Sequence, residues 1–181
     1  PSAGAAEAAL LFGATAVRSP SITFAMVSPD AVSRAAEVLA LAESHGFRLL
    51  ASRMLELTAE QLSAMSGGAK LDDATVAALS AGPSLALAIS RPMAASAWNA
   101  LMGPADPLVA AAEAPFSLRA LYGTDAERNA CRGSATDADA DRDVRHFFPS
   151  LFTSQTTLGL LTPDATPHVP AILEAAAAIG L

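Results

Sequence analysis

Ile22-Thr23-Phe24-Ala25-Met26-Val27-Ser28-Pro29-Asp30-Ala31 is a run of strand-forming residues that ends on a turn. Six apolar or β-branched residues without alternation read as a strand buried on both faces. Ser28-Pro29-Asp30 stops it, and Asp30 is predicted to cap a helix over residues 31 to about 45, closed by Gly46. Residues 47–57 follow with a strand-like core. Thr58 and Gln61 then have the spacing of a capping box, so a helix opens there and ends at Gly67-Gly68. Residues 71–80 predict another helix, and Gly82-Pro83 turns the chain into Ser84-Leu85-Ala86-Leu87-Ala88-Ile89, a second buried strand. A helix is expected over 93–102 and a short strand over 128–133. Between them, residues 107–127 show little periodicity and read as a long loop of the kind that carries function. A helix over 137–147 and a linker over 149–155 complete the unit.

The opening pattern then returns. Thr157-Leu158-Gly159-Leu160-Leu161-Thr162-Pro163-Asp164-Ala165 matches Thr23 to Ala31 in character, with Pro163 following Pro29 by 134 residues. The segments preceding each copy, 6–13 and 141–149, also correspond. The expected organisation is therefore a tail of a preceding unit with its linker at 1–20 and one complete domain at 21–149. A linker at 150–156 and the start of a further unit at 157–181 follow.

Composition bounds the function. Of 181 residues, 52% are hydrophobic and only 16% charged, so a disordered chain is excluded for most of the length. Charges and prolines interrupt every apolar run before the 18 residues a membrane helix needs. The net charge of −7 gives no general support for nucleic acid or anionic lipid as partners. Cys131 is the only cysteine, which excludes a disulfide framework or thiolate metal cage and suits a reducing compartment. Roughly a quarter of the residues are Ala, and every base except Lys70 is Arg, the coding bias of a GC-rich genome. The chain opens at Pro1 without a secretory signal, which predicts a fragment or processed chain.

Six blocks carry a resemblance: 24–32 (Phe-Ala-Met-Val-Ser-Pro-Asp-Ala-Val), His45-Gly46-Phe47-Arg48-Leu49, Ala81-Gly82-Pro83, Leu101-Met102-Gly103, Ser117-Leu118-Arg119, and Arg128-Asn129-Ala130-Cys131-Arg132-Gly133-Ser134. In this order and spacing, residues 22–149 resemble the nucleoside diphosphate kinase family, specifically its divergent tandem-domain members. The resemblance implies an α+β fold, a ferredoxin-like βαββαβ sandwich with an antiparallel sheet under helices.

That family moves a γ-phosphoryl group through a phosphohistidine, which requires a neutral imidazole nucleophile and cations against the phosphates. Its Asn-x-x-His-Gly-Ser motif aligns with Asn129 to Ser134, so Arg132 occupies the nucleophile's position. A guanidinium stays protonated and cannot carry the group. None of the three histidines, His45, His146 and His168, lies in the motif, and each reads as a surface or packing residue. The family's phosphate-binding lysine aligns with Ser28, and with Thr162 in the next unit. A second phosphate-contacting arginine aligns with Asn99, the following threonine with Ala105, the stacking phenylalanine near Leu71 or Asp72, and a tyrosine with Ser66. The residual nucleotide-pocket residues are Arg119, Asn129, Ser134 and Asp143. Each has a structural alternative: Asn129 satisfying loop backbone, Ser134 capping the next helix, Asp143 pairing with an arginine, and Arg119 solvated or paired. Trp98 reads as packing.

The resemblance implies a catalytically inactive domain acting as a structural or protein-interaction module. It needs no cofactor and no metal, and its partners are other proteins, axonemal or microtubule-associated, rather than nucleic acid or membrane. Divergent tandem members occur in motile cilia and flagella, which implies a cytoplasmic or cytoskeletal location in an axoneme. Two alternatives remain open: a regulatory domain that binds nucleotide without turnover, and an active kinase whose nucleophile lies in another unit.

Overall fold

β1 (Ser21–Val27) and β3 (Ser84–Arg91), the two uninterrupted apolar runs, lie side by side at the centre of a four-stranded antiparallel sheet. Phe24 pairs with Ala88 and Ala25 with Leu87. β2 (Arg48–Leu55) lies outside β3 and the short β4 (Cys131–Gly133) outside β1, giving the order β2-β3-β1-β4. The computed structural model describes residues 20–58, 60–62, 71–152 and 168–178.

Alternation along the central strands divides the core. Ala25, Val27, Leu87 and Ile89 face α1 (Ala35–Ser44) and α3 (Ala94–Met102), packing with Val38, Ala42, Trp98 and Leu101. Phe24, Met26, Ala86 and Ala88 point to the other face, where Leu62, Leu79 of α2 (Asp73–Leu79) and Val144 and Phe147 of α6 (Asp137–Phe147) cover them. The Phe24 and Phe147 rings stack at 4.7 Å. Both faces are thus dry, which is why β1 and β3 lack the polar alternation of a one-sided sheet. The series β1-α1-β2-β3-α3-β4 is the ferredoxin-like α+β sandwich. α2 is inserted between β2 and β3, and α6 follows β4 to close the second face.

Local chemistry explains most boundaries. Thr58 and Gln61 form the expected capping box: the Thr58 N–H donates to Gln61 Oε1 at 3.0 Å and the Gln61 N–H to Thr58 Oγ1 at 3.3 Å. Three expectations are corrected. Residues 107–127 are not one loop, because α4 (Pro107–Glu113) and α5 (Leu118–Tyr122) lie within them. Asp30 does not cap α1, which is entered through a 3-10 turn at Val32–Arg34 without any side-chain cap. Where the linker was expected to begin, Pro149–Phe152 forms a 3-10 turn whose Leu151 and Phe152 pack on the second core.

The chain divides into two compact units, the larger spanning residues 17–153. Of the other, the structure describes α7 (Val169–Ala178). No helix among the described residues is long and apolar enough to cross a membrane.

Candidate functional site

β4 is entered through Ala130, a non-glycine residue in the left-handed region at φ 66°. Asp30 Oδ2 accepts the Ala130 N–H at 3.0 Å, and the Ser28 N–H donates to the Ala130 carbonyl at 2.9 Å. Asp30 therefore holds this strained entry, and backbone strain of this sort persists only where the surroundings over-determine it.

Two residues later Arg132 pairs with Met26 in the β1–β4 ladder, and its carbonyl accepts the Trp98 Nε1–H at 3.1 Å. Its side chain lines a cavity of about 190 Å³ together with Asn99, Arg119, Gly133 and Asp143. The opposite wall is apolar: Phe24, Met26, Leu62, Leu71, Leu79 and Met102. Sequence reasoning missed this wall, because the leucines come from separate segments that only the fold assembles.

Arg119 donates from Nη1 to the Gly103 carbonyl at 2.8 Å and from Nη2 to the Cys131 carbonyl at 3.2 Å, tying the end of α3 to β4. The Nε atoms of both Arg119 and Arg132 are buried without a hydrogen-bond partner. Burial lowers both guanidinium pKa values, and the Arg119 charge lowers that of Arg132 further. Among the described residues, Arg34, Arg128, Arg142 and Arg145 form carboxylate ion pairs, while Arg119 and Arg132, like Arg48, Arg53 and Arg91, do not.

Of the other expected site residues, only Asp143 reaches the cavity. Its Oδ2 accepts the Ser134 hydroxyl at 2.7 Å and its Oδ1 the Arg142 Nε–H at 3.0 Å, so both oxygens are engaged. Ser134 buttresses Asp143 rather than capping α6; Thr136 caps that helix, accepting the Asp139 N–H at 3.1 Å. Asn129 lies outside the cavity lining and donates to the Ala105 and Ala126 carbonyls at 3.2 and 3.1 Å. Asn99 donates to the Ala95 and Ser134 carbonyls, both at 3.0 Å, which pins the segment after β4 to α3. Ser28 is buried away from the cavity with its hydroxyl unpartnered. Thr162 and Ser66 lie outside the described residues.

Nucleophiles near Arg132 are few. Cys131 is fully buried, and burial pushes its thiol up to about 12, so almost no thiolate exists near neutrality. No histidine lines the cavity: His45 Nδ1 lies 2.9 Å from the Leu41 carbonyl, His146 packs edge-on against Phe147, and His168 is exposed. Among the described residues no group of three or more His, Cys, Asp or Glu is arranged to hold a metal.

The family model described as "Nucleoside diphosphate kinase" matches residues 21–151. Nucleoside diphosphate kinase homolog 5 of Mus musculus is 35% identical over 145 residues, covering 78% of this chain and 69% of that protein. Its Homo sapiens counterpart is 36% identical over 157 residues, 84% and 74% respectively. Nucleoside diphosphate kinase homolog 7 of Rattus norvegicus is 37% identical over 131 residues, and the chain spans only 33% of its length. Among solved structures, the nucleoside diphosphate kinase of Aquifex aeolicus superposes with a TM-score of 0.68 at 27% identity, covering 74% of this chain and 98% of that one.

Proposed function

We propose that the chain, which belongs to the nucleoside diphosphate kinase family, is a catalytically inactive member that serves as a structural and protein-interaction module. The observation that carries the proposal is the side chain at the nucleophile's position. Arg132 stands there, and among the described residues neither an imidazole nor an ionisable thiol lines the cavity. Phosphoryl transfer through a covalent intermediate needs a lone pair, which a guanidinium does not offer. The lysine position, Ser28, is buried and faces elsewhere, and Asn99 is committed to backbone carbonyls. An intact apolar frame around a site without its nucleophile is what scaffolding requires, because packing asks only for volume and pattern. Large apolar residues remain exposed on the limb of α4, α5 and their connection, with Leu108 80% and Phe116 82% exposed, and on β2 at Leu49, Leu50 and Met54.

The proposed setting is the axoneme of a cilium or flagellum, with axonemal or microtubule-associated partners, and it rests on resemblance to divergent tandem members. Residues 1–20 and 157–181 are then parts of flanking units, joined to the domain at 21–149 by short linkers. Incubating the purified chain with γ-labelled ATP and a nucleoside diphosphate tests inactivity: neither labelled triphosphate nor an acid-labile phosphoprotein should form. Fluorescent tagging and identification of co-purifying proteins tests the setting, which an enzyme spread through the cytosol without stable partners would contradict.

Arg119 and Arg132 in one cavity favour a second reading, a domain that binds nucleotide without turnover. A ligand at a hundredfold excess over Kd would add about 2.7 kcal/mol and shift melting visibly. Millimolar ATP-Mg is expected to give almost no shift, since the lysine and the stacking aromatic are gone. A rise of several degrees would favour the second reading. A third alternative, a nucleophile supplied by another unit, would show as activity in the full protein and none in residues 21–149.

A further inference from the structure

We infer that the groove between α3 and the α4–α5 connection, about 490 Å³ in volume, docks an acidic peptide of another protein that carries an aliphatic or aromatic anchor. The groove shares no residue with the cavity of Arg119 and Arg132. From α3 it takes Ala97, Ala100 and Leu101, whose i, i+3 and i+4 spacing places them on one helix face, and from the connection it takes Pro115 and Phe116. The ionisable side chains in its lining are His45, just after α1, and Arg91, the last residue of β3; none is acidic.

Both kinds of contact are set in advance. The Arg91 guanidinium lies 5.0 Å from the Phe47 ring centroid and donates from Nη1 to the His45 carbonyl at 2.7 Å, which fixes it while no carboxylate neutralises it among the described residues. Phe116 is largely exposed, yet the connection that carries it is held. The Ser117 N–H donates to the Ala114 carbonyl at 2.9 Å, and Gly103 at the end of α3 approaches Ser117 so closely that a Cβ there would clash with its hydroxyl. An aromatic ring and an arginine already held in place lose little freedom on association, and such residues dominate binding energy at interfaces.

Charge selects the occupant. The apolar lining takes the anchor, and an arginine without a carboxylate complements an acidic flank. A basic segment would meet Arg91 and His45. A second copy of the chain, at net charge −7, would be repelled overall, as would the chain from an anionic membrane.

The probe is a fluorescein-labelled, end-blocked peptide of sequence Glu-Glu-Leu-Phe-Glu-Glu, titrated with the full chain while anisotropy is followed. Saturable binding is expected, weakening as salt rises from about 50 to about 500 mM. Arg91→Gln should weaken it about tenfold, the loss of one charge-assisted hydrogen bond. Phe116→Ser, at an exposed position, should weaken it about fivefold or more. Ala100 is exposed as well, so Ala100→Glu and Ala100→Lys decide the case if Arg91→Gln fails to fold: the first should weaken binding and the second tighten it. No saturable binding, equal affinity for Lys-Lys-Leu-Phe-Lys-Lys or for Glu-Glu-Gly-Gly-Glu-Glu, or indifference to the Ala100 pair overturns the inference. Self-association, or sedimentation with phosphatidylserine vesicles, that Phe116→Ser abolishes would assign the groove to a second copy or to a membrane and overturn it equally. The inference rests on the interaction-module reading for the existence of a partner, and the two fail separately. A chain that bound none of the peptides and transferred no phosphoryl group would end the inference alone, while phosphotransfer would end the inactive reading and leave the peptide result standing.

Discussion

Restoring the imidazole by Arg132→His leaves Arg119 in the cavity but two of the family's cation positions unfilled, since the lysine position holds buried Ser28 and the second arginine position holds Asn99, bound to backbone. Each missing charge-stabilising group costs on the order of 100- to 1,000-fold in rate. Arg132→His is therefore expected to remain within a few-fold of background in a coupled kinase assay, and substantial turnover would show that one residue alone disables the site. Cys131 gives a pH-dependent prediction. Its folded pKa of about 12 lies above the value of 9.0 for a free thiol. Below pH 9 both states are protonated and the contribution to stability is complete; as pH rises from 9 toward 12 the unfolded thiol ionises first, and stability falls. Cys131→Ala should flatten that alkaline decline in urea titrations, and the native thiol should resist Ellman's reagent until the protein unfolds. At this scale the sequence was legible in alignment but not in contact. The identity of Arg132 could be read from its motif, and the loop-backbone bonds of Asn129 and the arginine partner of Asp143 were among the alternatives open from sequence, whereas the roles of Ser134 and Asn99 depend on a carboxylate and carbonyls that lie elsewhere in the chain.

At the scale of elements, the central strands and the longer helices were readable because their apolar patterns extend over several turns or residues. α4 and α5, of seven and five residues, were not, since neither is long enough to display a helical period. Their signal lay in their caps: Asp106 accepts the Leu108 N–H at 2.8 Å ahead of Pro107, and Ser117 accepts from the Ala120 N–H. β4 was readable as a strand but not as a close neighbour of α3. A Cβ on Gly133 would lie 2.6 Å from Trp98 Nε1 and 3.1 Å from the Phe24 carbonyl, and Trp98 is fully buried with nowhere to move. Gly133→Ala should therefore wedge β4 away from α3, costing about 1–3 kcal/mol as overpacked cores do. The same substitution would disturb the cavity, because Gly133 lines it. Equilibrium unfolding in urea measures the loss, and a variant as stable as the parent would mean that β4 and α3 can separate without cost.

For the whole molecule, the question is how much of the chain the larger unit needs. Leu151 and Phe152 pack against the core face that α6 covers, and the Arg145 guanidinium lies 4.3 Å from the Phe152 ring centroid. Trimming at 149 would therefore strip side chains from the core. On the proposed tandem organisation, the apolar residues Leu10, Leu11 and Phe12 at one end and Leu158, Leu160, Leu161, Ile172 and Leu173 at the other belong to units completed elsewhere. Two such short segments cannot bury that surface alone. At about 25 cal/mol per Å² of apolar area, exposing several such side chains costs several kcal/mol, which association would relieve. The 181-residue chain should then scatter light as a distribution of assemblies that grows with concentration, while residues 21–152 remain monodisperse and melt cooperatively. Residues 21–149 should melt lower than 21–152, by the loss of two aliphatic and aromatic contacts. A monodisperse 181-residue chain whose two ends both resist protease would mean that those ends complete one another within a single chain, and the tandem organisation would fall.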